Sequence, residues 1–308
     1  MTRAVVFAYH NVGVRCLSVL LAHGVKVPLV VTHTDNPDEN IWFGSVAELA
    51  ALHDIPVITP DDPNTPEVVE QVRTNRPDFL FSFYYRNMLK KELLDIPPRG
   101  AFNMHGSLLP KYRGRVPVNW AIIRGERETG STLHVMNEKP DNGAIVDQQA
   151  VPILPDDTAL EVFHKVTCAA EVALDRCLPA LIAGTAQFRQ QDLSQGGYFG
   201  GRKAEDGEIN WQAGAQAIHN LIRAVATPYP GATTRLAGRR MTVLKSLVEP
   251  DRQPRSTTPA FYCENGRCYA DCADGKVLRI LSFELDGKAM TADELIAACG
   301  AGLMPLGR

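Results

Sequence analysis

Four short apolar runs, Ala4 to Tyr9, Val27 to Thr32, Pro56 to Ile58 and Asp78 to Phe83, alternate with stretches whose apolar residues recur at helical spacing. Runs that are apolar at nearly every position suit strands buried on both faces. Their alternation with helices is the pattern of a doubly wound α/β sheet of Rossmann-like type. The first helix is expected to open at Gly13, with Val14, Leu17, Leu20 and Leu21 on its inner face, and to stop at Gly24; Ser45 to His53 and Thr65 to Asn75 read as the next two. Binding sites in such sheets lie outside the carboxyl ends of the strands, here the loops after Tyr9, Thr32, Phe83 and His105. No G-x-G-x-x-G follows the first run and there is no P-loop, so a nicotinamide dinucleotide is not expected.

Further along, Val118 to Arg124 reads as a short helix, and Ser131 to Met136 and Ala144 to Ile153 as strands around the turn-rich loop Asn137 to Gly143. Thr158 and Glu161 form a capping box for a long helix with Phe163, Val166, Ala170, Leu174 and Leu178 inside; Pro179 should kink or restart it and Gly184 end it. Residues 1–187 are therefore expected to form a catalytic domain, and the polar, Gly-rich 188–211 a linker. Residues 212–308 should form a smaller, mostly β, OB-like domain: a helix from Gly214 to Val225, then short strands with Asn-Gly and Asp-Gly turns, as in a small barrel or sandwich.

The formal charge of −3 over 308 residues argues against a nucleic-acid-coating surface. No stretch approaches eighteen consecutive apolar residues, so a cytoplasmic protein without membrane insertion is expected. Reduced thiols are the default for seven scattered cysteines, although Cys263 and Cys268 fall opposite each other across the Asn265-Gly266 turn, in a geometry that accepts a cross-strand disulfide. His33, His53, His134 and His164 lack metal-ligand spacing; no metal is expected and none of the four is assigned a role.

The stretch from Gly100 to Gly114, GAFNMHGSLLPKYRG, changes character midway. Asn103 and His105 lie two apart behind an apolar run, so on a strand they share a face; Gly106 and Ser107 break the strand, and Lys111, Arg113 and Arg115 add positive charge. A donating amide, an imidazole that exchanges protons near neutral pH and a carboxylate such as Asp141 suit acyl transfer, in which an oxyanion develops and a leaving nitrogen takes a proton. Asn and His near a strand end also serve as loop caps, and on these residues alone the two readings stand level. Ser107 lacks the G-x-S-x-G elbow of a serine hydrolase.

The segment NMHGSLLPKYRG, with Asp141 in a loop ending in Gly143-Ala144-Ile145, resembles the signature of the 10-formyltetrahydrofolate-dependent formyltransferases. Within that family FAYHNVG, THTDNP, FSFYYRN and HGSLLPKYRGRVPVNW are most similar to members that act on UDP-4-amino-4-deoxy-L-arabinose. The similarity runs through Ile153, continues more loosely through FGGRKAEDGEINW and IRAVATPYPGA, and fades beyond Gly231. It implies a triad in which Asn103 holds the developing oxyanion, His105 gives a proton to the folate nitrogen and Asp141 tunes His105. It implies 10-formyltetrahydrofolate as co-substrate, with the pterin held by the backbone of Asn87, Met88 and Leu89 and further contacts from Arg115 and from Asn137, Glu138, Lys139, Pro140 and Asp141.

The acceptor implied is the 4-amino group of a UDP-amino sugar, in lipid A modification. Lys111, Tyr112, Arg113 and Arg202 are candidates, from charge and position, for its diphosphate or uracil. Methionyl-tRNA formyltransferase is one alternative; those enzymes carry a basic insertion after the second strand, where this chain reads HTDNPDEN, acidic and short. Residues 201–308 do not compensate, with fourteen Lys and Arg against twelve Asp and Glu. A catalytically inactive folate-binding scaffold is the other, opposed by the presence of all three triad residues. Bifunctional members carry an NAD-dependent decarboxylase domain after the formyltransferase; without it no NAD is expected.

Overall fold

The apolar runs form the strands expected of them. In the computed structural model, which describes residues 1–307, the chain begins β1 (Arg3–Ala8), α1 (His10–Ala22), β2 (Lys26–Val31), α2 (Val46–Leu52), β3 (Val57–Ile58), α3 (Pro66–Thr74), β4 (Phe79–Phe83), α4 (Lys91–Leu94) and β5 (Ala101–His105). It continues with β6 (Arg113–Gly114), α5 (Pro117–Ile123), β7 (Glu128–Val135), β8 (Ile145–Pro152), α6 (Ala159–Ala183) and β9 (Tyr198–Phe199). One sheet takes the order β3-β2-β1-β4-β5-β7-β8. Its first five strands are parallel, whereas β7 and β8 add antiparallel, because a short connection through α5 returns the chain beside β5 in the opposite direction.

Period-two alternation sorts the core. Val5, Phe7, Leu29, Val31 and Leu80 face one side and pack with Val68, Val69 and Val72 of α3. Phe79, Phe81 and Phe83 face the other, with Phe81 and Phe83 stacked at 5.5 Å and Phe102 at 5.7 Å from Phe81. Each such ring taken from water contributes roughly 1.5–3 kcal/mol. Ser45 caps α2 by accepting from Glu48 N, Thr65 caps α3, and Thr158 with Glu161 forms the expected box ahead of α6.

Two local expectations change. The first helix opens at His10 rather than Gly13. Pro179 lies inside α6 without ending or restarting it, since a proline so close to the C-terminal end removes only one backbone bond before the helix stops at Ala183.

Two compact units emerge: Met1–Pro117, Glu128–Pro152 and Phe163–Gly200 in the first, Val118–Arg127, Ile153–Val162 and Gly201–Arg308 in the second. The segment 188–211 is thus divided at Gly200, and its first part includes β9, paired parallel with β6. The second unit contains α7 (Ala215–Ala224), β10 (Ala232–Leu236), β11 (Arg239–Glu249), β12 (Ala260–Glu264), β13 (Arg267–Asp271), β14 (Val277–Leu285), β15 (Lys288–Ala289), α8 (Ala292–Cys299) and β16 (Met304–Pro305). Its strands form an antiparallel sheet in the order β10-β11-β14-β13-β12-β16. Ile218 and Ile222 of α7 share a core with Met241, Val243, Phe261 and Phe283. Cys263 and Cys268 oppose each other as free thiols, their Sγ atoms 2.9 Å apart. No helix among the described residues is long and apolar enough to cross a membrane.

Candidate active site

The carboxyl ends of β1, β4 and β5 lie side by side, so the loops that leave them converge. His105 is the last residue of β5 and Asn103 precedes it by one pleat. Both fall opposite β7, where the antiparallel register sets Asn103 against His134 and His105 against Thr132. Asp141 reaches the same place from the loop between β7 and β8, in a left-handed conformation with φ 56°.

His105 Nδ1 is 3.5 Å from Asp141 Oδ1, and His134 Nε2 is also 3.5 Å from that oxygen. Gly114 N–H donates to Asp141 Oδ2 at 2.8 Å. The side chains of His105, His134 and Asp141 are 8%, 3% and 12% exposed, so a carboxylate sits almost out of water between two imidazoles. Burial by itself pushes the Asp141 carboxyl up. The charge on His105, the hydrogen bond and charge of His134 and the Gly114 N–H outweigh it and hold the group well below the usual carboxylate range. Asp141 is thus a fixed anion at neutral pH.

The ring contacts sort the protons. His105 Nε2 donates to the Tyr112 carbonyl at 2.8 Å, so the edge facing Asp141 is Nδ1, and a proton there makes a cation beside the buried anion. His134 Nδ1 donates to the Val135 carbonyl at 2.9 Å. Its Nε2 therefore accepts from Asn103 Nδ2, at 3.1 Å, when the ring is neutral, or offers a proton to Asp141 when it is charged. Nδ2 carries two hydrogens, and the second remains for an incoming oxygen. Donor amide, imidazole and buried carboxylate form the set that acyl transfer needs.

The loop after His105 is shaped by contact. Ser107 Oγ donates to the Lys111 carbonyl at 2.6 Å, which uses its hydroxyl structurally. A Cβ on Gly106 would overlap the Tyr84 hydroxyl, so only glycine lets that ring lie against the strand end. The loop 33–44 is pinned as well. Tyr9 donates to Asp35 at 2.6 Å, Arg86 makes a bidentate pair with Glu39 at 2.8 Å, and Asn11 accepts from Gly44 N. His10 stacks on Phe43 at 3.8 Å and meets Trp42 and Phe163 edge-on, and desolvation pushes its pKa down to about 3, with Arg86 and His164 adding to the effect. His33 stacks on Tyr85 at 4.2 Å, and desolvation, then Arg86, lowers it to about 4.

Asn87 donates to the Asp61 carbonyl, Asn64 donates to the Met88 carbonyl at 3.0 Å, and Met88 projects outward while Leu89 is buried. Lys139 N–H is held by Asn137 in the loop 137–141. The Arg115 backbone donates to Phe199, and its side chain is exposed. Tyr112 is buried; Arg113 spends its guanidinium on the carbonyls of Leu193 and Gly196, at 3.2 and 3.3 Å. Arg202 belongs to the second unit, lying over Trp120 and donating to Asp206.

The structure corrects one expectation. His134, left without a role, touches both Asn103 and Asp141, and a strand pattern could not reveal this without the β5–β7 register. His33 likewise holds the backbone of Arg86. No cluster of His, Cys, Asp and Glu fit to hold a metal occurs among the described residues.

Known families and solved structures share this fold. Residues 17–178 match the family described as formyl transferase, and residues 202–300 match the formyl transferase C-terminal domain. An N-formyltransferase from Helicobacter canadensis, solved with folinic acid and dTDP-3-aminofucose, is similar at TM-score 0.68 and 22% identity, covering 91% of this chain and 99% of that one. WlaRD, a sugar 3N-formyl transferase solved in the presence of dTDP and 5-N-formyl-tetrahydrofolate, matches at TM-score 0.71 and 20% identity over 96% and 99% of the two chains. HypX from Aquifex aeolicus, in complex with tetrahydrofolic acid, matches at TM-score 0.63 and 15% identity over 95% of this chain and 46% of that one. At these identities the likeness speaks for the fold.

Proposed function

Because the chain belongs to the formyl transferase family, we propose that it moves a formyl group from 10-formyltetrahydrofolate to the amine of a nucleotide-linked amino sugar, the 4-amino group of UDP-4-amino-4-deoxy-L-arabinose. The observation that carries the reaction is the buried Asp141 carboxylate between His105 and His134, with Asn103 alongside. The donor set suits a bound formyl-folate: it offers an amide N–H and a protonated imidazole to a carbonyl oxygen and a leaving nitrogen, and places no nucleophile that would compete with the incoming amine. 10-Formyltetrahydrofolate, when bound, would supply the formyl group and leave as tetrahydrofolate.

The remaining work falls to the chain. Asn103 Nδ2 donates to the oxygen on which negative charge grows. His105, with Nε2 committed to Tyr112, carries the transferable proton on Nδ1 and gives it to the leaving nitrogen as the folate N–C bond breaks; the amine, having formed its bond to the formyl carbon, loses one proton, which the vacated Nδ1 takes up. Asp141 keeps that proton in place until it is needed, at low electrostatic cost because the anion is already fixed. Asn87, Met88 and Leu89 would hold the pterin, Arg115 and residues 137–141 the rest of the folate, and Lys111, Tyr112, Arg113 and Arg202 remain candidates for the nucleotide.

A nucleotide-sugar acceptor is supported by the similar proteins solved with dTDP or dTDP-3-aminofucose, and the UDP-aminoarabinose identity by the sequence strings at the ends of β1, β2, β4 and β5. Asp35 and Glu39, pinned in the loop 33–44, oppose the phosphates of a tRNA acceptor stem. Cytoplasmic location and a place in lipid A modification follow from the same reading. The test is an assay with 10-formyltetrahydrofolate and UDP-4-amino-4-deoxy-L-arabinose, another UDP-4-amino sugar, a dTDP-3-amino sugar and methionyl-tRNA. The first should turn over fastest; faster formylation of methionyl-tRNA than of any sugar would overturn the acceptor class.

A further inference from the structure

The polar segment 187–200 follows the edge of the site instead of crossing open solvent. Arg189 and Ile145 exchange backbone hydrogen bonds at 2.8 Å in both directions, extending the edge of β8. The Arg113 and Arg115 N–H groups donate to Gly197 and Phe199 at 3.0 and 2.9 Å. A Cβ on Gly196 would collide with the Pro110 carbonyl, so the segment lies in backbone contact with the loop that follows His105.

Between these anchors stands Gln191. Its Nε2 donates to the Asp141 carbonyl at 3.1 Å and to the Gly143 carbonyl at 2.7 Å, one hydrogen to the residue that carries the carboxylate and one to the residue two further on. Two carbonyls leave the amide no other orientation, and Gln191 Oε1 is buried without a protein partner. Asp141 needs such a clamp. A non-glycine residue at φ 56° is in a sparsely populated region and stays there when its surroundings hold it. The Gly114 N–H fixes one carboxylate oxygen, and Gln191 ties the Asp141 carbonyl to that of Gly143.

We propose that Gln191 is a positioning residue for formyl transfer, acting through Asp141: it locks the left-handed turn so that the carboxylate points at His105 and His134. The inference rests on the assignment of Asp141 to the formyl-transfer centre. Gln191 touches neither substrate in this role, so its loss should appear in kcat and not in the KM for the acceptor. A displacement of the carboxylate by about an ångström is enough to lower turnover by ~10-fold to 10²-fold.

Gln191→Leu removes both donors, and Gln191→Glu turns an acceptor toward the two carbonyls; each should lower kcat by that factor with the KM for the acceptor within about twofold of the starting protein. In an Asp141→Asn background, Gln191→Leu should cost nothing further, since the group it positions is already disabled. Hydrogen exchange over residues 137–143 should quicken in both variants. That measurement needs no acceptor, so it decides whether Gln191 holds the turn even if every amine in the panel fails and the proposed acceptor falls. Unchanged exchange in both variants, losses that add to those of Asp141→Asn, or a loss confined to KM would each overturn the proposal.

Discussion

Each unit of the molecule buries a histidine next to an aspartate, and the two pairs differ in one respect. In the first, Asp141 is 12% exposed and faces His105 and His134. In the second, His219 is 3% exposed, its Nε2 lies 3.2 Å from Asp156, and that carboxylate is 61% exposed. His219 Nδ1 meets the Ser246 hydroxyl at 2.9 Å and Nε2 the Pro155 carbonyl at 3.2 Å, an arrangement that satisfies a neutral ring. Desolvation pushes the His219 pKa down, with Arg223 adding to it, and the solvated Asp156 is too well screened to reverse the effect. Residue types alone therefore do not make an acid-base centre. Burial of the anion does, because an imidazolium out of water needs a partner that is also out of water.

The largest expected effect separates the pairs outright. Asn103→Ala, His105→Ala and Asp141→Asn should each lower single-turnover formyl transfer by ~10²-fold to 10³-fold with the circular dichroism spectrum unchanged. Near-normal rates in Asn103→Ala and His105→Ala together would remove the first pair from catalysis. Conversely, His219→Leu should leave kcat intact and lower stability by about 1–3 kcal/mol in urea unfolding, since the Ser246 hydroxyl and Pro155 carbonyl lose their partner. A drop in kcat at full stability would erase the distinction.

Acid sharpens the contrast by sign. His10, His33 and His219 are all held below the ordinary histidine value, the first two at about 3 and about 4. Below pH ~6.5 the unfolded chain binds protons that the folded chain refuses, so stability should fall as pH falls, the half-buried His33 contributing less than His10 because solvent screens it. Asp141 adds nothing until lower pH. Its depressed carboxyl contributes stability that is present above the unfolded carboxylate value of ~3.9 and lost below it. Urea midpoints at pH 7 and pH 5 should differ, and His219→Gln should reduce the difference; an equal difference in the variant would mean that His219 titrates normally. The smallest effect is expected of Asp156→Asn, under about 1 kcal/mol in stability and none in turnover, as suits an exposed ion pair.

The difference between the pairs also marks what was legible beforehand. Asn103 and His105 could be placed on one face because a strand repeats every two residues, and Asp141 through its loop signature. His134 could not: its partners depend on β7 returning antiparallel to β5 in one register, and a shift of a single residue would have turned it away. Gln191 was hidden more deeply, in a stretch whose polarity and glycines read as a linker. One of those glycines, Gly196, serves close backbone contact with the loop after His105.

By itself the sequence determined the alternating α/β architecture, the mostly β second half and the two residues at the end of β5, because these follow from periodicity, turn chemistry and side-chain type within a few neighbouring positions. Only the tertiary structure decided which carboxylate would be buried, which histidine would share it and which segment would hold its turn. Burial and register depend on groups far apart in the chain, and in this site the register and the loops bring His105, His134 and the Gly114 N–H to Asp141, which hold it as an anion against the cost of its burial.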